Sequence, residues 1–363
     1  MKKIFVVIGT RPEIIKMSPV LPFMEEKFKL EILYTGQHYS KILSEKIFED
    51  LQLKIPKYYL NSKSTNSSTQ LGDMIKKISK ILVEELPSAV VVHGDTNTTL
   101  AGALAANKLN IPVVHIESGA RSGNKNEPEE LNRILVDQIA FINFPFDANS
   151  KHSLLKENIR KNIFLLPNTA REAVKRNIKI AKQKSQILKR YQLEGTKYVL
   201  STLHRATNTN NPTVLKKYIL LIEKVSQQYK VLIPMHPRTK KLLKMHDLSL
   251  PKNVKVIPPV GYLDFLILMQ KAFYIISDSG GVVDESLVLN TPLFIFRNET
   301  ERDDVISLGK AALVKPSWGK NALFKFIKTK MSDEEIKRMK DIRGSFKILA
   351  SKKMSQIIYK MIK

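Results

Sequence analysis

Two histidine–carboxylate pairs stand where short apolar runs end: His93 and Asp95 in AVVVHGD, and His115 and Glu117 in PVVHIE. Residues two apart share a face of a strand, so each pair points one way if its strand continues that far. If the two runs are neighbours in one sheet, about 4.8 Å apart, Asp95 and Glu117 converge at the same end. Carboxylates brought that close push each other's proton affinities apart, as paired acid and base roles require. The plain structural reading is that Asp95 or Thr96 caps the next helix and that Glu117 is buried and neutralised. The following segment, GARSGNKNEPEELNR, adds Glu129, Glu130 and Arg133 at the start of another helix, where carboxylates also complement the helix dipole. Two acidic strand ends in succession, followed by this segment, favour chemistry over capping.

Cations recur at similar junctions. In GTRPEIIK, Thr10 and Glu13 have capping-box spacing and Pro12 suits a first helical turn. Capping does not explain Arg11 and Lys16, since positive charge is disfavoured at a helix N-terminus unless an anion sits there. TLHRATN places His204 and Arg205 after another apolar run, and MHPRTKK repeats the theme at His236 and Arg238. In YIISDSGGVVDES, Gly280 and Gly281 either make a tight turn capped by Asp278 or Ser279, or they bare backbone N–H groups for an anion at a helix start together with Ser279. Glu285, about one and a half turns on, is placed to accept from the two hydroxyls of a ribose, and RNETERDD adds Arg297, Glu301 and Arg302. An anion cradle, a diol acceptor and several cations together describe a nucleoside diphosphate, and with the carboxylates a two-domain enzyme acting on a nucleotide-sugar. There is no Walker loop, no G-x-G-x-x-G and no histidine spacing that indicates zinc, so no metal is expected.

The elements that must position these residues are legible as alternation. IFVVIG, EILYTG, AVVVHG, PVVHIE and AFINFP, then KYVLSTL, KVLIPMH, NVKVIPP, AFYIIS and PLFIF, are separated by longer helical patterns. Near-continuous apolar strands between helices predict parallel sheets covered on both faces, the doubly wound α/β class. A chain of 363 residues is comfortable as two such domains. The polar helical stretch from about Glu172 to Gln192 sets the join near Pro167–Thr169, giving domains 1–167 and 168–363. Two Rossmann-like domains then face a cleft lined by strand C-terminal ends. The absence of cysteine excludes disulfides, thiolate metal sites and a cysteine nucleophile, and fits a reducing cytoplasm. The apolar run of MKKIFVVIG is too short for a signal peptide, and no run is long enough to span a membrane. The net charge of +26 is lysine spread along the chain and densest in C-terminal segments of helical periodicity. Solvated lysine faces account for it, with at most weak peripheral attraction to anionic lipid and no nucleic-acid role.

Taken together and in order, GTRPEIIK, TGQHY, HGDTNTTLAGALAA, HIESGARS, PEELNR, TLHRATN, HPRT, PVGYLDFL, DSGGVVDE and RNETER resemble the non-hydrolysing UDP-N-acetylglucosamine 2-epimerase family over about residues 1–310. The resemblance implies a fold similar to GT-B glycosyltransferases, with UDP held mainly by the C-terminal domain, the sugar served by the N-terminal one, and the last helix packing back on the N-terminal domain. It implies interconversion of UDP-GlcNAc and UDP-ManNAc with no cofactor, by elimination of UDP to 2-acetamidoglucal and re-addition, in a homodimer. By resemblance Asp95, Glu117 and Glu129 match acid/base carboxylates and His204 a histidine serving the diphosphate. Arg11, Lys16, Arg133, Ser279, Gly280, Gly281 and Glu285 match UDP contacts, and Arg302 falls in the Thr-Glu-Arg motif. His236 is a further substrate-binding candidate. The chain departs from the family pattern at Thr207, where glutamate is usual, and at Val283, where a polar side chain is usual. An epimerase of a modified UDP-sugar, such as a diacetamido uronic acid, and a nucleotide-binding relative without activity are the alternatives.

Overall fold

The protein is described from a computed structural model covering residues 1–36, 41–62, 64, 66–300, 303–342 and 350–362. The chain divides into two compact units, Met1–Ala173 with Lys347–Lys363, and Val174–Phe346. The division falls inside the helix Thr169–Lys184 instead of after Pro167, because that helix carries chain from one unit straight into the other. The C-terminal stretch accordingly counts with the first unit.

Among the described residues the first unit has six parallel strands: β1 (Lys3–Ile8), β2 (Lys29–Tyr34), β3 (Tyr58–Tyr59), β4 (Ala89–His93), β5 (Val113–Ser118) and β6 (Ile142–Pro145), in the order β3-β2-β1-β4-β5-β6. This is the Rossmann order, with the direction of winding reversing between β1 and β4. β1 lies between β2 and β4, with Val6 opposite both Ile32 and Val91. Helices cover both faces, so its side chains have no solvent face to serve, and Ile4 to Ile8 are buried without a polar residue among them. The core on one face gathers Phe5, Val7, Val90, Val92 and the apolar side of the helices Ser67–Glu85 and Asn97–Lys108. The helix Ala350–Met361 is amphipathic, burying Met354 and Ile358. Ser351 N–H and Oγ–H donate to Glu172 Oε2 at 3.0 and 2.8 Å, and Ser355 Oγ–H donates to the Phe23 carbonyl at 2.7 Å.

The second unit repeats the plan. β7 (Tyr198–Thr202), β8 (Lys230–Pro234), β9 (Lys255–Ile257), β10 (Tyr274–Ser277), β11 (Leu293–Ile295) and β12 (Ala311–Leu313) are parallel, in the order β12-β11-β10-β7-β8-β9. Read outward from its first strand this is the same Rossmann order, now reversing between β7 and β10. Its core joins Val199, Val231, Ile276 and Phe294 to the helices Pro212–Ser226, Lys320–Lys330 and Asp333–Asp341. Lys320, Lys325, Lys328 and Lys330 stand exposed on the helix Lys320–Lys330 and Lys337 on the helix Asp333–Asp341, while Leu323, Ile327, Ile336 and Met339 are buried. Among the described residues no helix is long and apolar enough to cross a membrane.

Candidate active site

In the first unit the loops at the reversal are tied together by one buried carboxylate. Gly9, just past β1, leaves no room for a side chain, since a Cβ there would lie 2.0 Å from Thr98 Oγ1 and 2.5 Å from Thr35 Oγ1. The N–H groups of Gly9 and Thr10 both donate to Glu13 Oε2 at 2.7 Å, and Thr96 Oγ1–H donates to Glu13 Oε1 at 2.6 Å. Burial pushes the Glu13 carboxyl up in spite of these donors. Glu13 thus takes the N–H groups of Gly9 and Thr10, and the side chains of Arg11 and Lys16 are the cationic groups of the helix Arg11–Met17 that follows. Arg11 is half-buried.

β4 stops at His93, Gly94 takes a φ of +73°, and Thr96 caps the helix Asn97–Lys108, accepting from Thr99 N–H at 3.3 Å. Asp95 is thus released from capping. Its Oδ2 accepts from Arg133 Nε and Nη2 at 2.9 and 2.5 Å. Arg133 also donates through Nη1 to Glu130 Oε2 at 2.8 Å, and Glu130 accepts from the N–H groups of Ser122 and Gly123 at 2.9 and 3.0 Å. Of the two glutamates opening the helix Pro128–Ile139, Glu130 is therefore the buried anchor. Glu129 is exposed and, among the described residues, has no hydrogen bond to this cluster.

The expected alternation along the next strand is broken. The register between β5 and β6 shifts between Ile116 and Ser118, and Glu117 sits at that irregularity with a φ of +65°, a conformation that costs a residue with a side chain energy unless its surroundings enforce it. His115 and Glu117 consequently turn to different partners. His115 Nδ1 lies 2.7 Å from Asp137 Oδ1 and its Nε2 2.8 Å from the Gly94 carbonyl. Asp137, fully buried, also accepts from Gly119 N–H at 3.0 Å and pairs with Arg121 at 2.8 Å. Glu117 Oε2 instead accepts from Lys16 Nζ at 2.7 Å and lies 3.7 Å from His93 Nε2. Burial acts to raise the Glu117 carboxyl, but its partners, Lys16 first among them, outweigh it and hold it down at about 2. Burial draws His93 down to about 4, so its ring is neutral at pH 7. Neither nitrogen of that ring makes a hydrogen bond among the described residues. Asp95 and Glu117 thus stand at adjacent strand ends as expected, but each is held by its own cation.

In the second unit the corresponding strand ends carry His204 and the serine–glycine turn. Asp278 is fully buried and caps nothing. Its Oδ1 accepts from His204 N–H at 3.1 Å, and its Oδ2 accepts from Arg205 N–H at 2.9 Å and Asn208 Nδ2–H at 3.0 Å. His204 Nδ1 lies 3.3 Å from Asp278 Oδ1, with the imidazole half-exposed. Burial works to raise the Asp278 carboxyl, yet His204, Arg205 and Asn208 hold it below its ordinary range. Ser279 occupies the cap position of the helix Gly280–Leu289 without a side-chain cap bond. A Cβ on Gly281 would meet only Ser279 Oγ, at 4.0 Å, so this glycine is not demanded by local packing and leaves the helix start open. Glu285 is half-buried on the same helix. Val283 is buried, so the apolar side chain that stands where the family pattern is polar belongs to the core. His236 caps the helix Pro237–Met245, its Nδ1 accepting from Arg238 N–H at 3.2 Å. Arg302 lies outside the described residues. Among the described residues no group of three or more histidine or carboxylate side chains is placed to hold a metal ion.

Sequence reasoning read Asp278 and Glu13 only as capping residues and did not find Asp137. Asp278 looked like a cap because its loop partners are some 70 residues away in the chain. The capping-box spacing located Glu13 but gave no sign of its reach to Thr96.

Comparison with known proteins shows what the chain is similar to. The family model described as UDP-N-acetylglucosamine 2-epimerase matches residues 24–361. The UDP-N-acetylglucosamine 2-epimerase of Methanocaldococcus jannaschii is 42% identical over 322 residues, 86% of this chain and 88% of that protein. Its crystal structure in complex with UDP-GlcNAc and UDP superposes with a TM-score of 0.79 at 37% identity, covering 98% of this chain and 99% of the other. The glycosyltransferase SnogD from Streptomyces nogalater, 14% identical, shares the fold, with a TM-score of 0.55 over 100% of this chain and 94% of its own. With matching sequence and fold over nearly its whole length, the chain belongs to the UDP-N-acetylglucosamine 2-epimerase family.

Proposed function

We propose that the chain is a UDP-N-acetylglucosamine 2-epimerase, an isomerase that interconverts UDP-GlcNAc and UDP-ManNAc without net hydrolysis. The observation that carries this is the pair of carboxylates at adjacent strand ends, Asp95 and Glu117, each held by a cation. The proton at C2 of the sugar is not adjacent to a carbonyl, so its removal alone would leave an unstabilised carbanion. In the reaction we infer, a carboxylate takes the C2 proton as the C1–O bond to UDP breaks. The C–H pair becomes the C1=C2 double bond of 2-acetamidoglucal, and the C1–O pair leaves with UDP. Addition of UDP oxygen to C1, with protonation of C2 from the opposite face, gives the epimer.

Groups are therefore needed on both ring faces, and a cationic clamp on the departing diphosphate. Asp95, Glu117 and Glu129 are our acid/base candidates, and His204, oriented by Asp278, serves the diphosphate. Arg11, Lys16, Arg133, His236, Ser279, Gly280, Gly281, Glu285 and Arg302 are our candidates for binding UDP and substrate. In this reading the second unit holds UDP and the first supplies the acid–base groups, with no cofactor. We further propose a cytoplasmic homodimer. The apolar Leu131 and Leu135, exposed one turn apart on the helix Pro128–Ile139, support self-association, which light scattering would test.

The test is proton NMR of UDP-GlcNAc with the protein in D2O. Deuterium at C2 together with UDP-ManNAc growing to a constant ratio is the expected result. Free ManNAc accumulating with UDP would make the enzyme a hydrolase, and turnover of a diacetamido uronic acid conjugate alone would move the substrate.

A further inference from the structure

Glu117 is poorly suited to be a base in the arrangement described. Its carboxylate bonds an ammonium at 2.7 Å, and every proton it takes must first overcome that attraction. The groups facing it are Lys16 from the helix Arg11–Met17, His93 from β4 and the Asn168 side-chain amide, with Asp95 and His115 next nearest around His93. Of these only Lys16 stabilises the carboxylate as a full cation beside it, because His93 is neutral. Lys16 is also the residue that, on the reading proposed above, meets the diphosphate. The same amine cannot neutralise both at full strength, since a diphosphate with two or more negative charges outcompetes one carboxylate for it.

We propose that Lys16 is a partner-exchanging residue. The substrate's diphosphate draws its ammonium off Glu117, and Glu117, left in a buried setting beside His93, becomes a competent base only when substrate is present. The neighbouring pair behaves differently by construction. Arg133 is held at once by Asp95 and by Glu130, itself anchored on two backbone N–H groups, so Asp95 keeps its cation. One carboxylate is thereby released while the other keeps its cation, so the two adjacent strand ends respond differently to substrate. His93 has a positioning role: with no hydrogen bond of its own among the described residues, its ring lies 3.7 Å from the carboxylate that Lys16 leaves.

This inference rests on the proposed nucleotide-sugar site, and its test separates the two. In protein labelled with 13C at glutamate Cδ, the Glu117 carboxyl is identified by its loss in Glu117→Gln and followed against pH, alone and with saturating UDP, whose binding is measured by calorimetry. The expected result is a titration midpoint that rises by roughly one to three pH units with UDP, the range associated with losing an opposite charge at this distance. In Lys16→Met the midpoint is already raised without nucleotide, and UDP adds little. If UDP binds and the wild-type midpoint stays put, the exchange is wrong while the nucleotide site stands. An equal rise with UDP in wild type and in Lys16→Met would equally overturn it, because the nucleotide's own charge would then be the cause. If UDP does not bind at all, the site assignment fails and the exchange with it.

Discussion

The two units share a strand order and a reversal point, yet they meet the chain's functional residues in opposite ways. At the reversal in the first unit the charged partners are side chains on both sides: Lys16 with Glu117, and Arg133 with Asp95 and Glu130. At the equivalent place in the second unit a single buried carboxylate, Asp278, is held chiefly by main-chain and amide donors from the His204 loop. Side-chain ion pairs can change partners when another charge arrives, whereas backbone donors are fixed by the fold. One architecture therefore supplies a responsive set of acids and bases in one unit and a rigid frame for a histidine and an open helix start in the other. The fold positions; the residue types at the strand ends decide the chemistry.

The comparison can be broken most directly at the carboxylates. Glu117→Gln and Asp95→Asn should each lower C2 deuterium exchange by about 10²–10⁴-fold, the usual scale for losing a general acid or base, while calorimetry finds UDP affinity undiminished. A parallel loss of UDP binding would mean that the first unit is not the separate seat of proton transfer. Next in size is Asp278→Ala, which strands the N–H groups of His204 and Arg205 and the Asn208 amide. At about 1–3 kcal/mol for a buried group left unsatisfied, urea unfolding should show a loss of about 3 kcal/mol or more with weakened UDP binding. Retained stability would show that the second unit's frame does not depend on this carboxylate. Gly9→Ala drives a methyl group into Thr98 and should cost about 1–3 kcal/mol by overpacking. Unchanged unfolding there would mean that the first loop gives way freely.

The last effect is a pH slope. His93 has its folded pKa lowered to about 4, so between its unfolded value near 6.5 and pH 4 the unfolded chain binds more protons, and stability falls as pH falls. Glu117, held at about 2, adds a second loss as pH drops from its unfolded value near 4.3 toward 2. Chemical denaturation midpoints between pH 7 and 4 should therefore decline in the wild type and decline less in His93→Asn. Equal slopes would place the acid sensitivity outside the first unit's cluster.

Much of this was legible beforehand because parallel strands buried on both faces announce themselves as apolar runs. Ten of the strands were so marked. β3 and β12, two and three residues long, were not, since Tyr58–Tyr59 and Ala311–Leu313 are too short to show a period and owe their pairing to the neighbouring strand. The cluster of Asp95 and Glu117 followed from their places at successive strand ends. What periodicity could not give was the direction of Glu117, because an irregularity between Ile116 and Ser118 cancels the alternation on which that expectation stood. The partners Glu13, Asp137 and Asp278 were hidden for another reason: each works through contacts that the chain makes only after folding.

The helix Ala350–Met361 packs with the first unit, its Tyr359 ring 5.6 Å from Phe28, although all of Val174–Phe346 intervenes. During translation the ribosome therefore delivers every residue of the second unit before it delivers the segment that completes the first. The unit begun earlier is the unit finished later. Nascent chains halted near residue 346 should protect the second unit from proteolysis while the surface around Phe23 and Phe28 still waits for its cover.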